Sequence, residues 1–264
     1  MTESVDLFAK PGNAGEPDRL LLRRSAHLVD HGEEVKQLLW SAVMDAIHAP
    51  ERQRRVAFAA RGLEDSREMV AKWALSTQTS VRNSQVNGGF DISGRTANLN
   101  EWAYRHGVTL TRVVNEVTAK HYPLLPLTSL HCHHIAVAPV RLAMILFDET
   151  HLGFAGPPFD SGDSSLWWTT DSALVNAARE LVLAQSRDGH GIEPLPPTAV
   201  NHRRLWVLIH LLNGLTDTAI ARRLDVSLRV VERDVHHIKE LAGVNTRMEI
   251  VWGLGFGGTA SSNG

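Results

Sequence analysis

Cysteine is all but missing from this chain. A single residue, Cys132, in 264 excludes an internal disulfide framework and any four-cysteine zinc site. Lysine is nearly as scarce, with five against twenty-two arginines. Acids and bases almost cancel, for a formal net charge of -2, so the chain is no general polyanion binder and any nucleic-acid contact has to be local and shaped. No apolar run approaches the roughly 18 residues that suggest a membrane span. The first residues, MTESVDLFAK, carry acids where a secretory signal carries bases. A cytoplasmic protein with no membrane partner is therefore expected, long enough for one large or two smaller domains.

The most informative stretch runs from Leu215 to Arg247, LTDTAIARRLDVSLRVVERDVHHIKELAGVNTR. It predicts two short helices, 216–224 and 228–240, joined by the tight turn Asp225-Val226-Ser227. Thr216 and Ser227 are placed to cap the helices, and Val226 to plug the angle between them. In the second helix Val231, Val235, Ile238 and Ala242 recur at helical spacing and should face a core. Arg229, Glu232, Arg233, His236 and Lys239 lie mainly on other sides. A short helix, a sharp turn and a helix with an exposed basic face suit the major groove of DNA. The flanks add a helix from Arg203 to Asn213, with Leu205, Leu208, Leu211 and Leu212 apolar, and a last helix after a Thr246–Glu249 capping box. Met248, Val251 and Trp252 supply the apolar side of that last helix.

These pieces resemble the C-terminal DNA-binding domain of LuxR/NarL-type transcription regulators, especially in Gly214-Leu215-Thr216, Ile220-Ala221, Leu224, Val226-Ser227, Val231, Ile238, Leu241-Ala242-Gly243-Val244 and Arg247. The resemblance implies that the helix after the turn reads double-stranded DNA and that the last helix helps to form a homodimer. Arg229 and Arg233 are then the expected base readers, with His236 beside them, and Thr216, Arg222, Arg223, Ser227 and Lys239 complete the DNA-contacting set. Departures are also present. Val230-Val231-Glu232 stands where the family has Ser or Thr, then Val, then a base, and Asp234 stands where it has a polar or basic residue. The segment holds six Arg or Lys against five Asp or Glu, which by itself implies weak phosphate attraction. The competing reading is a protein-interaction or assembly factor whose helix-turn-helix no longer binds DNA.

Before this unit the pattern divides into a polar tail and long helix over 1–49, a larger domain over 50–188 and a Gly/Pro linker over 189–198. The C-terminal unit occupies 199–256, with a disordered tail over 257–264. The long helix carries Leu21, Leu28, Val35 and Ala42 at seven-residue intervals, fitting either dimerisation or packing on its own domain. The larger domain alternates helical and strand patterns, so the expected fold class is an α/β effector-like domain preceded by the long helix, plus a separate all-α four-helix domain. The strand run Gly107-Val108 to Val114, then Leu127, Arg141 to Asp148 and the helix from Asp171, resemble the effector domain of actinobacterial LuxR-type regulators related to TrmB, itself similar to half of a phospholipase D fold. That resemblance implies a non-catalytic domain that senses a small molecule or mediates assembly, in regulators often linked to secondary metabolism.

Phospholipase chemistry needs a lysine two residues after its histidine. His131-Cys132-His133 and His134-Ile135-Ala136 do not supply it, so no enzymatic activity is expected. A metal at the HCHH cluster would need His131 and His133 on one face of a strand plus a convergent third ligand such as His121, Asp148 or His151; no metal and no cofactor are expected. Cys132 has no neighbouring base in sequence to favour a reactive thiolate. An effector pocket is expected from the aromatic residues and polar anchors Trp102, Arg112, His133, Arg141, Phe147, Phe154, Trp167 and Trp168. In the adjacent pair Trp167-Trp168, one ring should stay accessible, because neighbours on an extended segment face opposite ways. Neither a phosphorylated receiver nor an acyl-homoserine-lactone sensor pattern can be aligned.

Overall fold

The computed structural model describes residues 16–49, 55–86, 91, 93–116, 124–192 and 201–255, the side chains of 16–25 and 252–255 excepted. Helix α1, Glu16–His48, comes first, followed by β1 (Ala57–Arg61), α2 (Leu63–Ser76), β2 (Ser80–Gln85), α3 (Arg95–Arg105) and β3 (Thr109–Asn115). The single turn α4 (Leu125–Thr128) precedes β4 (His134–Ala138), β5 (Met144–Phe147), β6 (His151–Ala155) and β7 (Ser165–Thr169). Helix α5 (Ser172–Asp188) and the two-residue β8 (His190–Gly191) lead to α6 (His202–Leu212), α7 (Asp217–Leu224), α8 (Leu228–Ala242) and α9 (Arg247–Gly255).

All eight strands form one sheet in the order β1-β7-β6-β5-β2-β3-β4-β8. Only β2, β3 and β4 run parallel to their neighbours; the other pairings are antiparallel. The sequence of β3, TLTRVVN, is rich in β-branched residues and buried from Leu110 to Val114, as expected of a strand covered on both faces. One face is covered by α1 and α5, whose Leu28, Val35, Leu39, Val43, Leu174, Ala178 and Leu181 share a core with Val113, Leu146 and Phe154. The opposite face is covered by α2 and α3, through Val70, Trp73 and Ala103 against Val81, Leu110 and Phe147.

The expected pair of bodies is corrected. Among the described residues the molecule is one mixed α/β fold on one eight-stranded sheet, with no separate four-helix domain. Leu205, Leu208, Ile220, Val231 and Ile238 of the C-terminal helices share their apolar cluster with Ala97 of α3 and with Leu124 and Leu127 at α4. Trp206 of α6 lies so close to Gly94, at the start of α3, that a Cβ there would sit 2.7 Å from the ring. The long helix does come first, and of its two expected roles the structure has packing on its own domain: its stripe lies in the sheet's core, with Leu39 and Val43 at 0% exposure. Periodicity reveals which face is apolar but not what covers it, which is why the separate domain needed correcting. The expected linker begins at the sheet. Gly191 and His190 pair with Ala136 and Val137 in the sheet, while residues 193–198 lie outside the described residues, as do the expected tails over 1–15 and 257–264.

Candidate nucleic-acid interface

Helix α7 starts at Thr216, whose hydroxyl accepts the Ala219 N–H at 3.3 Å, with Asp217 in the first turn. It ends at Asp225, which holds the left-handed conformation at φ 52°, and the Val226 N–H returns to the Ala221 carbonyl at 3.0 Å. This bond turns the chain sharply into α8. Val226 packs on the shared apolar cluster, as its position in the turn suggested. Ser227 stands at the N-cap of α8 but its side chain makes no capping bond, contrary to expectation; its carbonyl accepts from Val230 and Val231 instead.

Along α8 the inward positions are Val231, Asp234, Val235 and Ile238, and the outward ones include Arg229, Glu232, Arg233 and His236. Arg222 and Arg223 of α7 are exposed too. Among the described residues, Arg222, Arg229 and Arg233 make no hydrogen bond or ion pair. Lys239 is half-buried and donates to the Asn245 carbonyl at 3.3 Å, which pulls it towards the end of α8. His236 lies 3.2 Å from Glu240, and His237 3.0 Å from the same carboxylate.

The placement of Asp234 changes the charge reading of this surface. Its side chain is at 0% exposure and accepts from Arg203 of α6 at 2.7 Å, with Arg204 3.6 Å away. The acid that weighed against DNA contact therefore faces inward and ties α8 to α6. Asp217 is likewise paired, with Arg247, whose guanidinium also donates to the Leu215 carbonyl. Glu249 accepts from Asn245 at 2.7 Å and Thr246 at 2.9 Å, closing the capping box that starts α9. The near balance of six bases and five acids in sequence thus resolves into an outer face dominated by Arg222, Arg223, Arg229 and Arg233, with Glu232 and Asp225 as its exposed unpaired acids among the described residues.

The residues expected to form one effector pocket do not converge. Phe154 and Trp167 are buried beneath α1 and α5, whereas Phe147 and Trp102 belong to the opposite face of the sheet. Arg112 is buried, but its guanidinium is held by Gln85 at 2.9 Å, the Thr128 carbonyl at 3.2 Å and Ser129 at 2.9 Å. His133 accepts the Leu110 N–H at 3.0 Å, and exposed Arg141 lies along α1 at Gly32. Only Phe147 and Trp168 meet, at a cleft of about 110 Å³ lined also by Trp73, His151 and Gly153. Trp168 keeps 36% of its surface exposed against 8% for Trp167, the division expected of neighbours on a strand.

The HCHH segment is not a strand until His134. His131 sits in a turn at φ 71°, stacked on Tyr104 and 2.6 Å from Glu101, and burial holds its imidazole below the usual range. His134 points to the Ser186 carbonyl at 3.0 Å, so the histidines diverge. Among the described residues no three His, Cys, Asp or Glu side chains gather to hold a metal. Burial pushes the Cys132 thiol up to about 11, which keeps it a poor nucleophile near neutral pH. Among the described residues no helix is long and apolar enough to cross a membrane.

No protein-family model matches this chain, and neither does any curated protein. Similar solved structures include the archaeal chromatin protein TrmBL2, described as showing a novel mode of DNA binding, at 14% identity and a TM-score of 0.42 over 65% of this chain and 66% of that one. A second is Nuc of Salmonella typhimurium, a phospholipase D family member, at 12% identity and TM-score 0.39 over 52% of this chain and 99% of that one. A third is the phosphatidylserine synthase of Haemophilus influenzae Rd KW20, at 8% identity and TM-score 0.39 over 71% and 45%. At such scores the likeness carries no functional argument.

Proposed function

We propose that this chain is a sequence-specific DNA-binding transcription regulator of the LuxR/NarL kind, acting as a homodimer with α7 and α8 seated at the major groove. The observation that carries this reading is the division of α8. Val231, Val235 and Ile238 anchor it inward while Arg229 and Arg233 stand outward. Arginine forks of this kind match the N7 and O6 acceptors of guanine, and Arg222, Arg223 and the Thr216 hydroxyl are placed for phosphates. Thr216 can still donate while its oxygen caps α7. With two phosphate-neutralising arginines per protomer, log affinity should fall against log salt with a slope of roughly -2 per protomer.

The α/β body is assigned a non-catalytic, controlling role, answering to a small molecule or a partner protein, and a cytoplasmic setting follows. Its sheet offers no lysine two residues after a histidine to hold a phosphate. The reading of an assembly factor with a degenerate unit rested on Glu232 and Asp234. Burial of Asp234 against Arg203 removes half of that ground. The test is gel-shift or anisotropy on selected and scrambled duplexes. Arg233→Ala should weaken the selected duplex by about 1–3 kcal/mol more than the scrambled one, and Arg223→Ala should weaken both alike. Equal losses on both duplexes for Arg233→Ala would refute the reader assignment.

A further inference from the structure

We propose that the cleft between the C-terminal end of α2 and strands β5 to β7 binds a planar aromatic molecule that bears no negative charge and carries a hydrogen-bond acceptor on its rim. The site deepens the controlling role given to the α/β body and rests on that reading for its purpose, though not for its existence.

Its walls are aromatic. Trp73 of α2 meets Phe147 of β5 edge to face, with centroids 6.0 Å apart and planes at 70°, and Trp168 of β7 leaves an apolar ring at the rim. The floor is bare backbone. At Gly153 a Cβ would sit 2.8 Å from the Trp73 ring, so the absence of a side chain there is what lets the ring lie down on β6. A volume of about 110 Å³, open on one side, accepts a single six-membered ring and lets substituents leave through the opening.

Polarity narrows the class. Asp148 lines the cleft as an anion. Burial pushes its carboxyl upward, but bonds from the Thr79 N–H at 2.7 Å, the Gln78 N–H at 3.0 Å and the Thr79 hydroxyl at 2.8 Å hold it below the ordinary range. Four of its bonds converge on Oδ1 and one on Oδ2, and its charge repels a second anion. His151 Nδ1 lies 2.9 Å from the Thr150 hydroxyl; with that hydroxyl donating, Nε2–H is left to donate to a ligand carbonyl. Occupancy has a short route to the DNA face: α2 packs on α3, and the start of α3 abuts Trp206 of α6.

Saturation-transfer NMR on the full chain, without DNA, tests the site with acetophenone, ethylbenzene, benzoate and cyclohexyl methyl ketone. Acetophenone should bind tightest. Trp168→Leu should weaken it about tenfold with circular dichroism unchanged, and His151→Ala should erase its preference over ethylbenzene. Equal binding of acetophenone by Trp168→Leu, or binding of cyclohexyl methyl ketone or benzoate as tight as acetophenone, would overturn the proposal. Because the assay contains no DNA, its failure leaves the DNA-binding reading standing, and a chain that binds acetophenone but no duplex would separate the two in the other direction.

Discussion

Asp234 shows how far a residue's meaning depends on which way it points. Read along the chain it is an acid in a DNA-reading helix; in the fold it is a buried anchor between Arg203 and Arg204. Breaking a buried ion pair from one side costs about 3–5 kcal/mol, and Arg203, partly exposed, can swing to water, so Asp234→Ala should cost about 3 kcal/mol in urea unfolding. Its affinity for duplex, measured where it remains folded, should not rise. An increase would mean that the acid repels DNA after all. Asp171 makes a second residue-scale case. It caps α5 through the Ala173 and Leu174 N–H groups and pairs with Arg55, which together lower its carboxyl from 3.8 to about 2. A depressed carboxyl stabilises the fold above pH 3.8 and loses that contribution as pH falls towards 2. Asp171→Ala should therefore cost about 1 kcal/mol at neutral pH, and its unfolding free energy should vary less than that of the unaltered chain between these two pH values.

At the scale of elements, strong periodicity was legible and weak composition was not. The strand run from Gly107-Val108 to Val114, the strand within Arg141 to Asp148, the helix from Asp171 and the C-terminal helices were all readable from the sequence. Strand β1, AFAAR, escaped because three alanines carry no β-branched signal; its pairing with β7 makes it a strand. The condition set for a metal at the HCHH segment is not met, since the positive φ of His131 keeps it in a turn. Of the candidate DNA contacts, the outward placement of Arg229, Arg233 and His236 on α8 followed from helical spacing, and their proposed role from the family resemblance. The effector set did not, because aromatic residues dispersed over 70 positions give no clue to which face of a sheet each one joins. The exposed stripe predicts that Arg229→Ala and Arg233→Ala leave thermal stability within about 0.5 kcal/mol of the unaltered chain. A large loss in a melting curve would show that these arginines are structural.

For the whole molecule the decisive feature is the seam between the C-terminal helices and the α/β body. Leu205 and Leu208 share one cluster with Ala97, Leu124 and Leu127, contacts that no sequence window shorter than the chain could reveal. The chain should therefore unfold in a single transition, with tryptophan fluorescence and far-UV circular dichroism coinciding; two separated midpoints would indicate independent domains. Gly94→Ala should destabilise the fold by about 1–3 kcal/mol, because it adds a Cβ at positive φ against Trp206. Through that seam the body and the arginine-bearing side of α8 are parts of one structure, so under the proposed function an effector on the body would have a physical path to α8. The most direct test of that face is selection of duplexes from a random library by the full chain, followed by affinity measurement with Arg233→Ala. The account predicts convergence on a two-fold symmetric sequence that the variant no longer prefers. A library that stays random through repeated rounds at low salt would contradict it.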